Sequence, residues 1–317
     1  MSKRKFGYLS IFLAAAIFST MEVALKSVTG VFSPLQITSL RFLIGGICLI
    51  PFVIHSLKKR GEHLEKKDFL FFVGEGLLCV VFSMVCYQMA IQYCPASVVA
   101  VIFSINALFT TFFAGLILKE PLEKHHYIAL ALEVTAILFI VNPFQQQLDM
   151  KGVILGIISA VFFSLYGVAG RRRSVKYGSL TVTCGSVLSG SLILILCIFI
   201  GRIPAVSAWL NSLGLSLFAD VPLLKGIPGN AWLPLLYVSI VVSAGGYVFY
   251  MLAFENTSGR EAALVYFIKP ILAPLIALVF LRESIPLNMW IGIALFLLGA
   301  GIAIGLIKLP GHKKTEE

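Results

Sequence analysis

Apolar runs of the length a helix needs to cross a bilayer, about twenty residues, follow one another along almost the whole chain. The hydrocarbon core offers no water to backbone N–H and C=O groups, so only helices or a closed barrel can span it. A barrel would alternate polar and apolar residues in segments of about ten, and no such segments occur here. Of the 317 residues, 13% are charged, about half the share usual in soluble domains. The expected fold class is an all-α polytopic membrane protein with about ten transmembrane helices. Hydropathy and breaker residues place them at 6–27, 34–56, 68–91, 96–118, 125–142, 151–170, 179–201, 231–254, 261–281 and 287–308. Lys3, Arg4 and Lys5 are too short a basic stretch, before too uninterrupted a run, to read as a cleaved signal peptide.

The chain repeats itself. ASVVAVIFSINALFTTFFAGLILKE, ending at Glu120, matches GREAALVYFIKPILAPLIALVFLRE, ending at Glu283, at a constant offset of 163 residues. GYLSIFLAAAIFSTMEVALK from Gly7 matches GVILGIISAVFFSLYGVAGR from Gly152, 145 residues on. Two five-helix units are therefore expected, 1–145 and 146–308, followed by a tail at 309–317. Five is odd, so the second unit enters the membrane from the other side, giving a 5+5 inverted-topology repeat. The basic residues concentrate in alternate short loops, among them Lys58, Lys59, Arg60, Arg171, Arg172 and Arg173. By the positive-inside rule this puts both termini in the cytoplasm of a multi-pass cell-membrane protein. It also explains the net charge of +10 without nucleic acid. The long segment 202–230 is expected outside, with an interfacial helix or an irregular loop around Trp209, Leu213 and Leu217.

Polar residues inside spans mark function unless they pair structurally. Asn106 and Lys269 occupy equivalent positions of the repeat. By helical rise they lie about 15 Å from the outer face and about 12 Å from the inner face, near the midplane. The bland alternatives are an interhelical hydrogen bond for Asn106 and a structural ion pair for Lys269. Glu75 lies about 10 Å from the inner face, Glu22 about 24 Å from it, and Arg41 about 10 Å from the outer face. Matching depths predicts two pairs, Glu75 with Lys269 and Glu22 with Arg41. Lys26 shares a helix face with Glu22, and Glu133 has no evident partner. Tyr87, Gln88, Tyr247 and Tyr250 are candidates to line a cavity, the aromatic faces suiting apolar or cationic solutes, although packing explains such aromatics equally well. Pro270 frees a carbonyl at Tyr266, which is expected to face the same space. Glu120 and Glu283 read as caps opening the helices that follow them.

Three motifs carry a resemblance. FSTMEVALK is similar to a Trp-Gly-Ser…Lys pattern, with Phe18, Ser19 and Lys26 in its places; RFLIGG resembles an Arg-Phe-Leu-Leu-Ala motif at Arg41; Glu120 and Glu283 close the fourth and ninth spans. With the ten spans and the repeat, these resemble the drug/metabolite transporter superfamily, in its EamA-type ten-helix branch. The resemblance implies a carrier of small organic solutes such as amino acids, amines or carboxylates, with several bacterial members acting as exporters. It also implies that the third and ninth spans line a central cavity. The chain departs from the family pattern at Asn106-Ala107, where a residue-Pro step is usual, and in carrying Glu22 and Glu133.

The expected function is a secondary transporter working by alternating access, with Glu22, Glu75 and Glu133 available for proton coupling. A passive channel or a lipid flippase is the alternative. An enzyme is not expected: HExxH and GxSxG are absent, and His55, His63, His125, His126 and His312 lie at span ends or in loops. The six cysteines form no CxxC pair, so neither a metal site nor a disulfide framework is indicated. No cofactor is expected. The expected partners are a small-molecule substrate and the lipid bilayer, with a monomer as the expected state.

Overall fold

The computed structural model describes residues 3–119, 124–142, 148–225, 227–257, 259–262, 264–303 and 307. Glu120 and the tail 309–317 lie outside them. Nine helices among the described residues are long and apolar enough to cross a membrane: α1 (Lys3–Ser27), α2 (Pro34–Arg60), α3 (Lys66–Tyr93), α4 (Ala96–Leu118), α5 (Lys124–Val141), α6 (Met150–Tyr177), α7 (Ser179–Gly201), α8 (Gly229–Ala253) and α9 (Leu264–Leu281). A shorter apolar helix, α10 (Leu287–Ala303), completes the set.

Several of these helices are interrupted. α1 breaks at Thr20, whose hydroxyl bonds the Ile17 carbonyl at 2.7 Å. α4 breaks at Ile105, where the Asn106 amide donates to the Phe103 carbonyl at 2.6 Å. Such side-chain bonds compete with the helical ladder. α3 and α8 widen into π-helix at Leu77–Met84 and Tyr237–Gly245, a distortion frequent at functional sites.

The principal packings are α1 with α8 and α9, α6 with α3 and α4, α2 with α7 and α8, α7 with α3, α4 with α9, and α5 with α10. Exchanging each helix for the one five places away maps this set onto itself. The backbone repeats too: Lys119 and Arg282, 163 residues apart, both end their helices with positive φ, 59° and 55°.

Lipid is as apolar as the side chains, so helix association rests on close packing, which small residues permit. α3 and α7 meet at Gly76 and Gly190. A Cβ on Gly190 would stand 2.5 Å from the Val80 Cβ and 2.7 Å from the Gly76 carbonyl. Gly190→Ala is expected to cost about 1–3 kcal/mol through overpacking against backbone. Gly74→Ala, with nothing within 4 Å of the new methyl, should be neutral or slightly stabilising. Thermal unfolding in detergent compares the two; equal melting temperatures would contradict the packing argument.

Opposite ends of the bundle are tied differently. At one end Arg173 Nε meets Asp68 at 3.0 Å, Tyr177 donates to Asp68 at 2.8 Å and Lys176 reaches Glu65 at 2.9 Å. Lys67 and Lys176 hold the exposed Glu65 carboxyl below the usual carboxylate range. At the other end the Glu283 carboxylate accepts from the backbone N–H groups of Ala96 and Ser97 at 2.7 and 3.0 Å and from the Ser97 hydroxyl at 2.6 Å. Glu283 is thus a cap, but of α4 rather than of the helix that follows it. Its partner lies across the repeat, where adjacency in sequence gave no hint of it.

Candidate functional site

A cavity of about 420 Å³ lies between α4, α6, α7, α8 and α9. Asn106 stands at its deep end, held by its bond to Phe103 and by the Ser164 hydroxyl, which donates to the Asn106 carbonyl at 2.7 Å. Tyr166, Tyr247, Tyr250 and Tyr266 line it, and it reaches Ser174 and the exposed Ser179 at the α6–α7 turn. That turn follows Arg171, Arg172 and Arg173.

Phe163, Tyr247 and Tyr266 also face a second, smaller space of about 50 Å³ that contains Lys269. These three rings border both spaces. Lys269 Nζ pairs with Glu22 Oε1 at 2.7 Å, both side chains being almost fully buried. The Tyr87 hydroxyl donates to the same Glu22 oxygen. Phe103 presents its ring 5.4 Å from the Lys269 ammonium, within cation–π range, and packs edge-on against Tyr87. Glu22 Oε2 has no hydrogen-bond partner.

This arrangement overturns both expected charge pairs. Lys269 meets Glu22, not Glu75, and Arg41 meets no carboxylate among the described residues. Counting residues from a loop gives depth but not direction around the helix. α1 packs on α9, whereas α3 and α9 are not among the principal packed pairs, so Glu22 reaches Lys269 and Glu75 does not. Arg41 is fully buried, its guanidinium 4.4 Å above the Phe42 ring and all three nitrogens without a hydrogen bond.

The structure sorts the remaining candidates. Asn106, Tyr247, Tyr250 and Tyr266 line the cavity. Tyr87 is buried behind Lys269, and Gln88 is buried with its Oε1 unpartnered; neither is on the cavity wall. Lys26 ends α3, donating to the Ile91 and Cys94 carbonyls at 2.6 and 2.9 Å, a capping contact. Glu133 lies in the α5–α10 contact against Gly299 with Oε2 unpartnered. Glu75 sits behind Gly170, a residue of the cavity wall. Sequence reasoning overlooked Tyr166 and Thr183, which also line the cavity. Tyr166 was legible, since it lies in FSLYGVAGR, inside the segment that repeats the one from Gly7.

Comparison with known proteins follows the same lines. The profile of the EamA-like transporter family matches residues 5–142 and 215–305. An uncharacterized transporter of Clostridium kluyveri is 32% identical over 99% of this chain and 96% of its own. A pseudopaline exporter of Pseudomonas aeruginosa is 26% identical over 55% of this chain and 59% of its own. A solved structure covering 96% of this chain and 98% of its own superposes with a TM-score of 0.63 at 21% identity, a likeness of fold. The family and the names of these relatives indicate a transporter rather than an enzyme. The chain is a multi-pass membrane protein, and it belongs to the EamA-like transporter family.

Proposed function

We propose that this protein is a secondary transporter that carries a small organic metabolite out across the cell membrane by alternating access. One observation carries the reading: the cavity ends on the Phe163, Tyr247 and Tyr266 rings, which also border the smaller space that holds Lys269, buried with Glu22. A solute path blocked at mid-depth suits a carrier, whereas a channel needs a continuous one. The Glu283 cap ties the far end, and the cavity runs toward Ser179, beside the arginine run that the positive-inside rule assigns to the cytoplasm. An exporter loads from that side. The relative named a pseudopaline exporter adds support for the direction.

The two five-helix units, 1–145 and 146–308, are inferred to be related by a pseudo-twofold axis in the membrane plane. The exchange-symmetric packing, the paired π-helical segments and the matching positive φ at Lys119 and Arg282 support this. Coupling runs through the Glu22–Lys269 pair, whose hold must loosen before the smaller space can open. The bilayer and one solute suffice as partners, for a monomer with both termini in the cytoplasm.

Counterflow in proteoliposomes tests the reading. Vesicles preloaded with an unlabelled amine, amino acid or carboxylate should take up the labelled form faster than empty ones, with saturation, for at least one member of the panel. Linear flux without counterflow would contradict a carrier. Topology has its own check. Helix Pro204–Ser212 exposes Trp209 and Asn211 and is too short to span, so it is assigned to the outer interface. Asn211→Cys, with the native cysteines replaced, should react with a membrane-impermeant thiol reagent added to intact cells. Complete protection would reverse the assignment.

A further inference from the structure

We propose that the large cavity takes an organic cation: a protonated or quaternary amine on an apolar body, its head directed to Glu75 through the wall at Gly170. The proposal rests on the transporter reading of the cavity and names its class of solute. The volume, about 420 Å³, is in the range of sites for small organic ligands. Among the described residues no charged side chain lines it; tyrosine rings, hydroxyls and the Asn106 amide do. Tyrosine faces attract cations, because the ring face carries partial negative charge.

The missing counter-charge stands just behind the wall. Glu75 is 2% exposed, and its Oε2 has no hydrogen-bond partner. That oxygen lies 3.3 Å from where a Cβ on Gly170 would be, and Gly170 is part of the cavity wall. The carboxylate thus stands directly against the Gly170 backbone, with the Val182 side chain of the same wall beside it, also 3.3 Å from that point. An unpaired carboxylate at membrane depth is expensive, and an arriving cation offsets that cost.

The neighbouring cations are engaged or misplaced. Arg173 is held by Asp68 at 3.0 Å and stacks 4.1 Å over Phe71. Lys269 is neutralised by Glu22. Arg41 does not line the cavity. The place of Glu75 beside Gly170 orients the solute. Its head lies at the Gly170–Tyr166 side, and its apolar body lies against Tyr250 and Tyr266.

Calorimetric titration of the purified full-length protein in detergent tests this with tryptamine and benzyltrimethylammonium as cations and indole-3-acetate as the matched anion. Both cations should bind saturably, and the anion about tenfold more weakly or worse. Glu75→Gln, close in shape, should weaken both cations by about tenfold or more, the loss of a charge-assisted contact, without lowering the melting temperature of the ligand-free protein. Gly170→Ala, which keeps Glu75 and places a methyl at the window, should weaken them as well. If Glu75→Gln does not fold, Gly170→Ala decides. Parental affinity in the variants, indole-3-acetate binding as tightly as tryptamine, or no binding of either cation would overturn the proposal. Counterflow of some other solute would then leave the transporter reading standing while this one falls.

Discussion

Lys269→Met is expected to destabilise the folded protein by about 3–5 kcal/mol, the cost of leaving one member of a buried ion pair alone. Glu22 then has only the Tyr87 hydroxyl, in a space walled by Phe18, Met21, Phe42 and Phe103. Glu22→Leu should cost a similar amount, because Lys269 is left with only the Phe103 ring nearby. The double variant Glu22→Leu, Lys269→Met should recover most of the loss, since well-packed apolar residues often replace a buried pair at little cost. Transport should fail in all three, because the pair through which coupling runs is gone. A double-mutant cycle on unfolding in detergent, with counterflow in parallel, measures both effects. Additive stability losses would show that the 2.7 Å contact contributes nothing. Full transport by the double variant would remove the pair from the mechanism.

Glu283→Gln should act at the far end. The native carboxylate accepts three hydrogen bonds from the first turn of α4. Glutamine keeps one acceptor oxygen and turns an NH₂ toward an N–H group, which leaves a donor facing a donor. The loss expected is about 1.5–3 kcal/mol, the range for a hydrogen bond to a charged group. A carboxylate also suits the positive end of a helix, and that attraction goes too. Because the cap joins α9 to α4, its loss should favour opening of that end as well as lowering the melting temperature. Unchanged melting together with unchanged accessibility of that end would show that the cap is incidental.

The spans were legible because lipid leaves a chain few choices: long apolar runs must be helices, and breakers punctuate them. Asn106, Tyr247, Tyr250 and Tyr266 were legible as cavity residues because polar or aromatic positions near mid-span tend to face the interior. The charge pairs were not. Glu75 matches Lys269 in depth, yet Glu22 makes the contact, because rise along a helix fixes height and says nothing of rotation about the axis. The helices also break at Thr20 and Ile105, beside side-chain bonds at 2.7 and 2.6 Å that composition does not announce. Glu283 was recognised as a cap, but its partner Ser97 lies 186 residues away, beyond any local reading. Gly170 looked like one small residue among 27 glycines, and only the fold places it beside Glu75 on the cavity wall.

The cavity is expected to be reached from one side of the membrane at a time. Ala107 is exposed on the cavity wall, so Ala107→Cys in a cysteine-free background reports access directly. In oriented membrane vesicles without solute, an impermeant thiol reagent should modify it from the side bearing Arg171, Arg172 and Arg173 and not from the other. Adding Glu283→Gln should allow modification from the opposite side, at the expense of the first. Equal modification from both sides in the parent background would mean a continuous pore and would contradict the account.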